Sequence, residues 1–340
     1  MSKFEAHLKN LIRQNGPMDV ATFMGLALGH YYATRDPFGV KGDFTTAPEI
    51  SQMFGEMIGV CLADVWQKTG SPERITLVEA GPGRGTLMAD LLRATRNVPG
   101  FHQAVRLHLI EMSPVLKEKQ RDTLRDFQVT WHETLDTLPQ DAPVFLVANE
   151  FLDALPVQHY VWKDARWHWR VIGLDKDDGL VFGLTDCPPP ASPPHEPGEG
   201  AIWEHSPARE SFVKNTALLI RRCGGVALLI DYGHDRSGFG DTLQAVKDHR
   251  FVNVLEQVGE ADLTSHVDFE PLKNAAQNLV TVHGPVGQGD FLNRLGIGLR
   301  AGRLGQPEAC HRLSAPDQMG TLFRVMALCH DPEIEVAGFS

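Results

Sequence analysis

What the chain lacks narrows it first. Its cysteines, Cys61, Cys187, Cys223, Cys310 and Cys329, are odd in number, widely spaced and contain no CxxC pair. A disulfide framework and a CxxC redox or metal motif are therefore not expected, and these residues read as reduced thiols that mostly fill core. No stretch approaches about 18 consecutive apolar residues, so neither a membrane span nor membrane insertion is expected. Residues 1–14 place Phe4, Leu8, Leu11 and Ile12 at helical spacing, with Glu5 among several bases, and lack a signal peptide's apolar block. They read as a mature amphipathic helix in preference to a transit peptide. The compartment expected is the cytoplasm, or the mitochondrial matrix if the chain is eukaryotic. Positive charge is also short: 32 basic against 43 acidic residues leave a net charge of −11, with no basic run to neutralise phosphates. That argues against a nucleic-acid partner. HExxH, EF-hand and GxSxG motifs and internal repeats are missing too, which leaves metal and serine hydrolase readings without an anchor and no metal expected.

What is present is enough apolar residue, 42% of 340, for one large core, and one stretch around which the rest is arranged. Residues 75–87 read ITLVEAGPGRGTL: an apolar run ending in Glu79, a turn through Gly81, Gly83 and Gly85, then the start of a helix carrying Leu87, Met88, Leu91 and Leu92. Such a strand, glycine turn and helix brings a ligand against bare backbone and offers it helix-start amides. The spacing is not GxGxxG in either frame, because Thr86 and Met88 stand where the last glycine should, so a nicotinamide dinucleotide fits poorly. The absence of GK[ST] excludes a Walker A loop. The pattern ExGxGxG, with an acid closing the strand, resembles the first motif of class I methyltransferases that use S-adenosyl-L-methionine.

Residues 1–73 read as a mostly helical lead-in that covers a larger domain over 74–340. Thr46, Pro48 and Glu49 give a capping-box start to a helix with an apolar stripe from Ile50 to Val65. The loop before it, with Asp43, Phe44, Thr45 and Thr46, reads equally as a turn or as a lid over a cofactor. Residues 105–110 form a second strand ending in Glu111, an acid placed to accept from ribose hydroxyls. A short strand over 127–131 leads to Glu133, where adenine would lie, although a solvated loop is the favoured reading of Glu133. A fourth strand over 143–148 ends in the polar cluster Asn149, Glu150 and Asp153, at the position where an open parallel sheet binds substrate. Residues 157–205 then alternate as short strands around Trp162, Trp167 and Trp169, an antiparallel insertion. A further parallel strand over 226–230 ends in Asp231. Residues 265–268 look like another capping box, 283–289 like a turn, and 322–328 like a late strand.

Taken together, GDFTTAPEISQMFGEMIG (42–59), LVEAGPGRGTLMADLL (77–92), ANEFLDALPVQHY (148–160), LLIDYGH (228–234) and EADLTSHVDF (260–269) resemble the MidA-like S-adenosyl-L-methionine-dependent methyltransferases, whose mitochondrial members are assembly factors of respiratory complex I. The resemblance implies an α/β fold: a doubly wound, Rossmann-like class I sheet with a helical N-terminal cover and an inserted antiparallel subdomain. It also implies protein arginine methylation of a complex I 49-kDa-type subunit. Carried over by position, Glu79, Gly81, Gly83 and Gly85 would hold the methionine part of the cofactor and Glu111 its ribose, with Asp43, Thr45, Thr46 and Glu49 in the cover. Catalysis would rest on Glu150, Asp153 and Asn149, although the paired-glutamate hairpin of better-known arginine methyltransferases is missing. A non-catalytic, cofactor-binding assembly factor that holds a partner subunit is the alternative, and a homodimer is an assembly the sequence leaves open.

Overall fold

The computed structural model describes residues 2–34, 45–190 and 193–339. Asp43 and Phe44, from the loop expected to be a turn or a lid, lie outside the described residues. The chain forms two compact units. The larger comprises Thr45–Leu152, Ser211–Asp235 and Val267–Ser340, and the smaller Met1–Phe44, Asp153–Glu210 and Arg236–His266.

The larger unit is built on strands β1 (Ile75–Ala80), β2 (Val105–Ile110), β3 (Val129–His132), β4 (Val144–Asn149), β5 (Gly225–His234), β6 (Thr281–Gly287) and β7 (Phe323–Cys329). Their order is β6-β7-β5-β4-β1-β2-β3, all parallel except β7, which runs antiparallel to both β5 and β6. This is the class I methyltransferase order expected from the motifs. Strands β1 and β4 are buried along their whole length, as their unbroken apolar runs require. Chain order reverses between β1 and β4, so the ligand crevice of such a sheet lies at their carboxyl ends.

Helices α1 (Gln52–Lys68), α2 (Thr86–Thr95) and α3 (Pro114–Thr123) flank the sheet. Helix α1 packs closely on α2 because Gly55 and Gly59 bring no side chain to the contact: a Cβ on either would stand 2.8 or 2.9 Å from the carbonyl oxygen of Leu87 or Leu91. The capping box expected at Thr46 does not form. Thr46 makes no side-chain cap bond to the short helix Ala47–Ile50, and Ser51 caps α1 by accepting from the Met53 amide.

On α1, Glu56 is buried and binds two guanidinium groups: Arg93 Nη1 at 2.6 Å, and Arg300 through Nε at 2.6 Å and Nη2 at 2.8 Å. Burial alone would raise its pKa, but the hydrogen bonds and charges of Arg300 and Arg93 outweigh burial and hold the carboxyl below its ordinary 4.5. A carboxylate with a depressed folded pKa stabilises the chain above its unfolded pKa, and that contribution disappears as pH falls through the folded value. Glu56→Leu, which strands Arg300 and leaves Arg93 with Asp90 alone, is expected to cost about 2–3 kcal/mol at neutral pH, below the roughly 3–5 kcal/mol of a fully broken buried pair because both arginines are partly solvated and Arg93 keeps a partner. Thermal melts at pH 7 and pH 3 should show the difference between wild type and variant shrinking in acid.

In the smaller unit, helices Lys3–Asn15 and Val20–Thr34 pack their apolar faces with Val157, Ile172, Leu243 and Leu263. Antiparallel strands Gln158–Lys163, Arg166–Leu174, Leu180–Asp186 and Ile202–His205 form the expected inserted sheet, which Met18–Asp19 joins at Val171 and Ile172. Two expectations change. The cover anticipated over 1–73 divides, since 45–73 belongs with the larger unit. The smaller unit also takes in a second sheet of Gln244–Lys247, Arg250–Val252 and Asp262–Thr264, beyond the insertion expected over 157–205. Among the described residues, no helix is long and apolar enough to cross a membrane.

Candidate active site

The site of the larger unit lies at the carboxyl ends of β1, β2, β4 and β5. Strand β1 delivers Glu79 into a buried position, 3% exposed, where burial lifts its pKa to about 8 against the partial opposition of the Met88 amide. Its Oε2 finds no hydrogen-bond partner. The chain turns away through Gly81, Gly83 and Gly85, all at positive φ, between +53° and +81°. Gly81 is required twice over: its φ is +66°, and a Cβ there would stand 2.8 Å from the Phe151 ring.

Strand β2 delivers Glu111, also buried, whose Oε1 accepts from the Ser113 amide at 2.7 Å and Oε2 from Gln120 Nε2 at 3.0 Å. Burial raises its pKa, with those donors opposing. Glu133, after β3, is exposed, as the solvated-loop reading would have it.

Strand β4 ends in Asn149, buried, and Glu150, whose φ of +49° is a strained value for a residue with a side chain. Asn149 Nδ2 donates to Glu150 Oε1 at 3.1 Å, and the Ala47 amide donates to the same oxygen at 2.9 Å. That second bond brings the Thr45–Thr46 segment, at the start of the short helix, beside the end of β4. Asn149 Oδ1 is buried with no partner. Glu49, cast as part of a capping box, instead accepts from Thr86 Oγ1 at 2.6 Å and stands 3.8 Å from Arg84, tying the short helix to the glycine turn.

Two residues that the sequence did not single out for the site hold it together. Asp231, at the end of β5 and fully buried, accepts from the amides of Phe151 and Leu152 through Oδ2, at 3.2 and 2.8 Å, and from the Tyr232 amide through Oδ1, at 3.0 Å. Gln120 on α3 donates to both the Gly83 carbonyl and Glu111. The only available signal was indirect: an acid directly after an apolar strand for Asp231, and nothing for Gln120.

Asp153 belongs to the smaller unit. It is buried, and its carbonyl accepts from the Ser265 amide at 3.2 Å and from Arg209 Nη2 at 3.0 Å. Nearby, Tyr32 donates to Asp262 at 3.0 Å, and burial, followed by the charges of Asp262 and Asp153, pushes the phenol pKa well up. In the same unit the ligand atoms of His159, Glu204 and Asp241 fall within 4.8 Å of one another, but Arg170 already sets its guanidinium 2.8 Å from Asp241. That ion pair engages Asp241, one of the three.

A buried acid with an unpartnered oxygen, a turn of three positive-φ glycines and a second buried carboxylate on the next strand could hold S-adenosyl-L-methionine. The donor-rich ammonium of its methionine part fits the Glu79 acceptor. A family model for S-adenosyl-L-methionine-dependent methyltransferases matches residues 57–286, and the chain belongs to that family. Among curated relatives, it is 36% identical to the mouse "Protein arginine methyltransferase NDUFAF7, mitochondrial", over 95% of this chain and 83% of that protein. It is 35% identical to the Drosophila melanogaster homolog of the same name, over 98% and 87%. Among solved structures it is similar to a COG1565 superfamily protein from Burkholderia thailandensis bound to S-adenosyl-homocysteine, with a TM-score of 0.85, 24% identity and coverage of 98% and 93%, which shows the shared fold. The chain is thus an S-adenosyl-L-methionine-dependent methyltransferase.

Proposed function

We propose that this enzyme methylates an arginine of a protein, with a 49-kDa-type subunit of respiratory complex I, during assembly of that complex, as the substrate the family resemblance suggests. The observation that carries the arginine reading is the acceptor character of the end of β4: Asn149 Oδ1 lies buried and unpartnered beside the Glu150 carboxylate. A guanidinium offers five N–H donors and no acceptor, so it is the side chain that such a pair of acceptors selects. The names of the mouse and fruit-fly relatives, both protein arginine methyltransferases, support the same choice.

When bound, S-adenosyl-L-methionine supplies a methyl group on a sulfonium. The chain's own work is to align and hold. Asn149 Oδ1 and Glu150 orient the guanidinium, and Glu150 takes the proton that the attacking nitrogen gives up. Glu79, Gly81, Gly83, Gly85 and Glu111 hold the cofactor, and Thr45, Thr46 and Glu49 border it. Positioning of this kind is worth up to roughly 7–11 kcal/mol when geometry is near ideal.

The test is to incubate the protein with S-adenosyl-L-methionine and the purified 49-kDa-type subunit, then map methylated residues by mass spectrometry. Methylarginine is expected, absent when the cofactor is left out. Methylation confined to lysine or a carboxylate would overturn the arginine assignment. Complex formation without any transfer would favour a cofactor-binding scaffold.

A further inference from the structure

Helix α3 is one of the most polar segments of the chain, PVLKEKQRDT, yet Gln120 on it is 0% exposed. Its amide makes three bonds with fixed polarity: Nε2 donates to the Gly83 carbonyl at 2.8 Å and to Glu111 Oε2 at 3.0 Å, while Oε1 accepts from the Trp131 indole at 2.8 Å. Rotating the amide by half a turn would set oxygen against two oxygens and nitrogen against an N–H, so all three contacts would fail together. Trp131 is held in turn by the Arg121 guanidinium, 4.9 Å from its ring centroid. One side chain thus ties the glycine turn after β1 to the acid of β2 and the end of β3.

We propose that Gln120, anchored on the Gly83 carbonyl, is a positioning residue that fixes the Glu111 carboxylate for the cofactor's ribose hydroxyls. This deepens, and rests on, the assignment of the ribose to Glu111. The Ser113 amide holds one oxygen of Glu111 and Gln120 the other, so the carboxylate plane is set before any ligand arrives. Without Gln120 the carboxylate keeps only the adjoining Ser113 and Met112 amides and loses the side-chain tether that sets Oε2. The preference for a hydroxyl-bearing ligand then falls, while contacts to the adenine and methionine ends persist.

The experiment is calorimetric titration of S-adenosylhomocysteine and its analogue lacking both ribose hydroxyls into wild type, Glu111→Gln, Gln120→Met, the double variant and Trp131→Phe. Wild type should favour the hydroxylated ligand. Gln120→Met should reduce that preference about tenfold, with less than threefold change for the analogue, and the double variant should lose no more than Glu111→Gln alone. Trp131→Phe, which keeps the ring but removes the donor orienting the amide, should lose part of the preference and serves as the second variant should Gln120→Met fail to fold. Equal weakening of both ligands in Gln120→Met and Trp131→Phe would reduce Gln120 to packing and overturn the proposal. An undiminished preference in Glu111→Gln would instead remove the ribose assignment and the proposal with it.

Discussion

Glu150→Gln is expected to lower kcat for methyl transfer by about 10²- to 10³-fold while changing S-adenosylhomocysteine affinity less than threefold, the scale seen when one preorganised electrostatic partner is removed. The substitution is nearly isosteric and keeps an Oε1 acceptor for the Ala47 amide and Asn149 Nδ2. What it removes, in the proposed mechanism, is the charge opposite a guanidinium and the group that takes its proton. The backbone beneath is held at φ +49°, a conformation that costs on the order of 1–3 kcal/mol and persists only when its surroundings enforce it. Asp231 is that enforcement, through the Phe151 and Leu152 amides. Asp231→Asn must turn an NH₂ toward one of three amide donors, so it should lower kcat by a comparable factor through the same turn. Single-turnover rates alongside calorimetric cofactor affinity would check both. Full activity in folded Glu150→Gln would remove Glu150 from the chemistry and leave Asn149 to account for the arginine.

The parts of this site that the sequence disclosed are those whose signal is local. Glu79 and its three glycines sit within seven residues, and Glu111, Asn149 and Glu150 each end an apolar run, so strand position alone put them at the crevice. What it hid depends on partners far along the chain. Thr46 and Glu49 have capping-box spacing, but Thr86, 37 residues away, takes the Glu49 carboxylate. Ser265 seemed to open a helix, yet its hydroxyl accepts from Arg209, and Asp268 caps Phe269–Ala276 instead. Residues 283–289 read as a turn because Gly284 and Pro285 interrupt them, whereas β6 absorbs the pair as a register shift between His283 and Val286. The sheet at Gln244–Lys247 was missed because its strands run only three or four residues with few apolar positions. Gln120 and Asp231 belong to the same class: buried polar groups with no sequence period, legible only once the contacts they satisfy are seen.

The affinity for S-adenosyl-L-methionine is expected to rise with pH by close to tenfold per unit between about pH 6 and 7.5, and Glu79→Gln to flatten that slope. Burial places the Glu79 pKa at about 8, so over this range the unliganded chain carries a proton there. Engaging the cofactor's ammonium requires the carboxylate, so one proton leaves on binding and the association constant scales inversely with proton concentration. The window closes near pH 8 on both counts, since a free α-amino group itself loses its charge at about 7.7–8.0. Stability without ligand carries the mirror image. Because the folded pKa is raised above the ordinary 4.5, the folded chain binds more protons than the unfolded chain between 4.5 and about 8. Unliganded stability therefore falls as pH rises through that interval, and Glu79→Gln should remove this component as well. Calorimetric titrations in two buffers of different ionisation enthalpy would count the protons directly, and denaturant melts across the same pH range would read the second effect. An unchanged pH slope in Glu79→Gln would place the titrating group elsewhere. A wild type that releases no proton would mean that Glu79 meets its ligand as a neutral acid, donating where the glycine turn suggests it should accept.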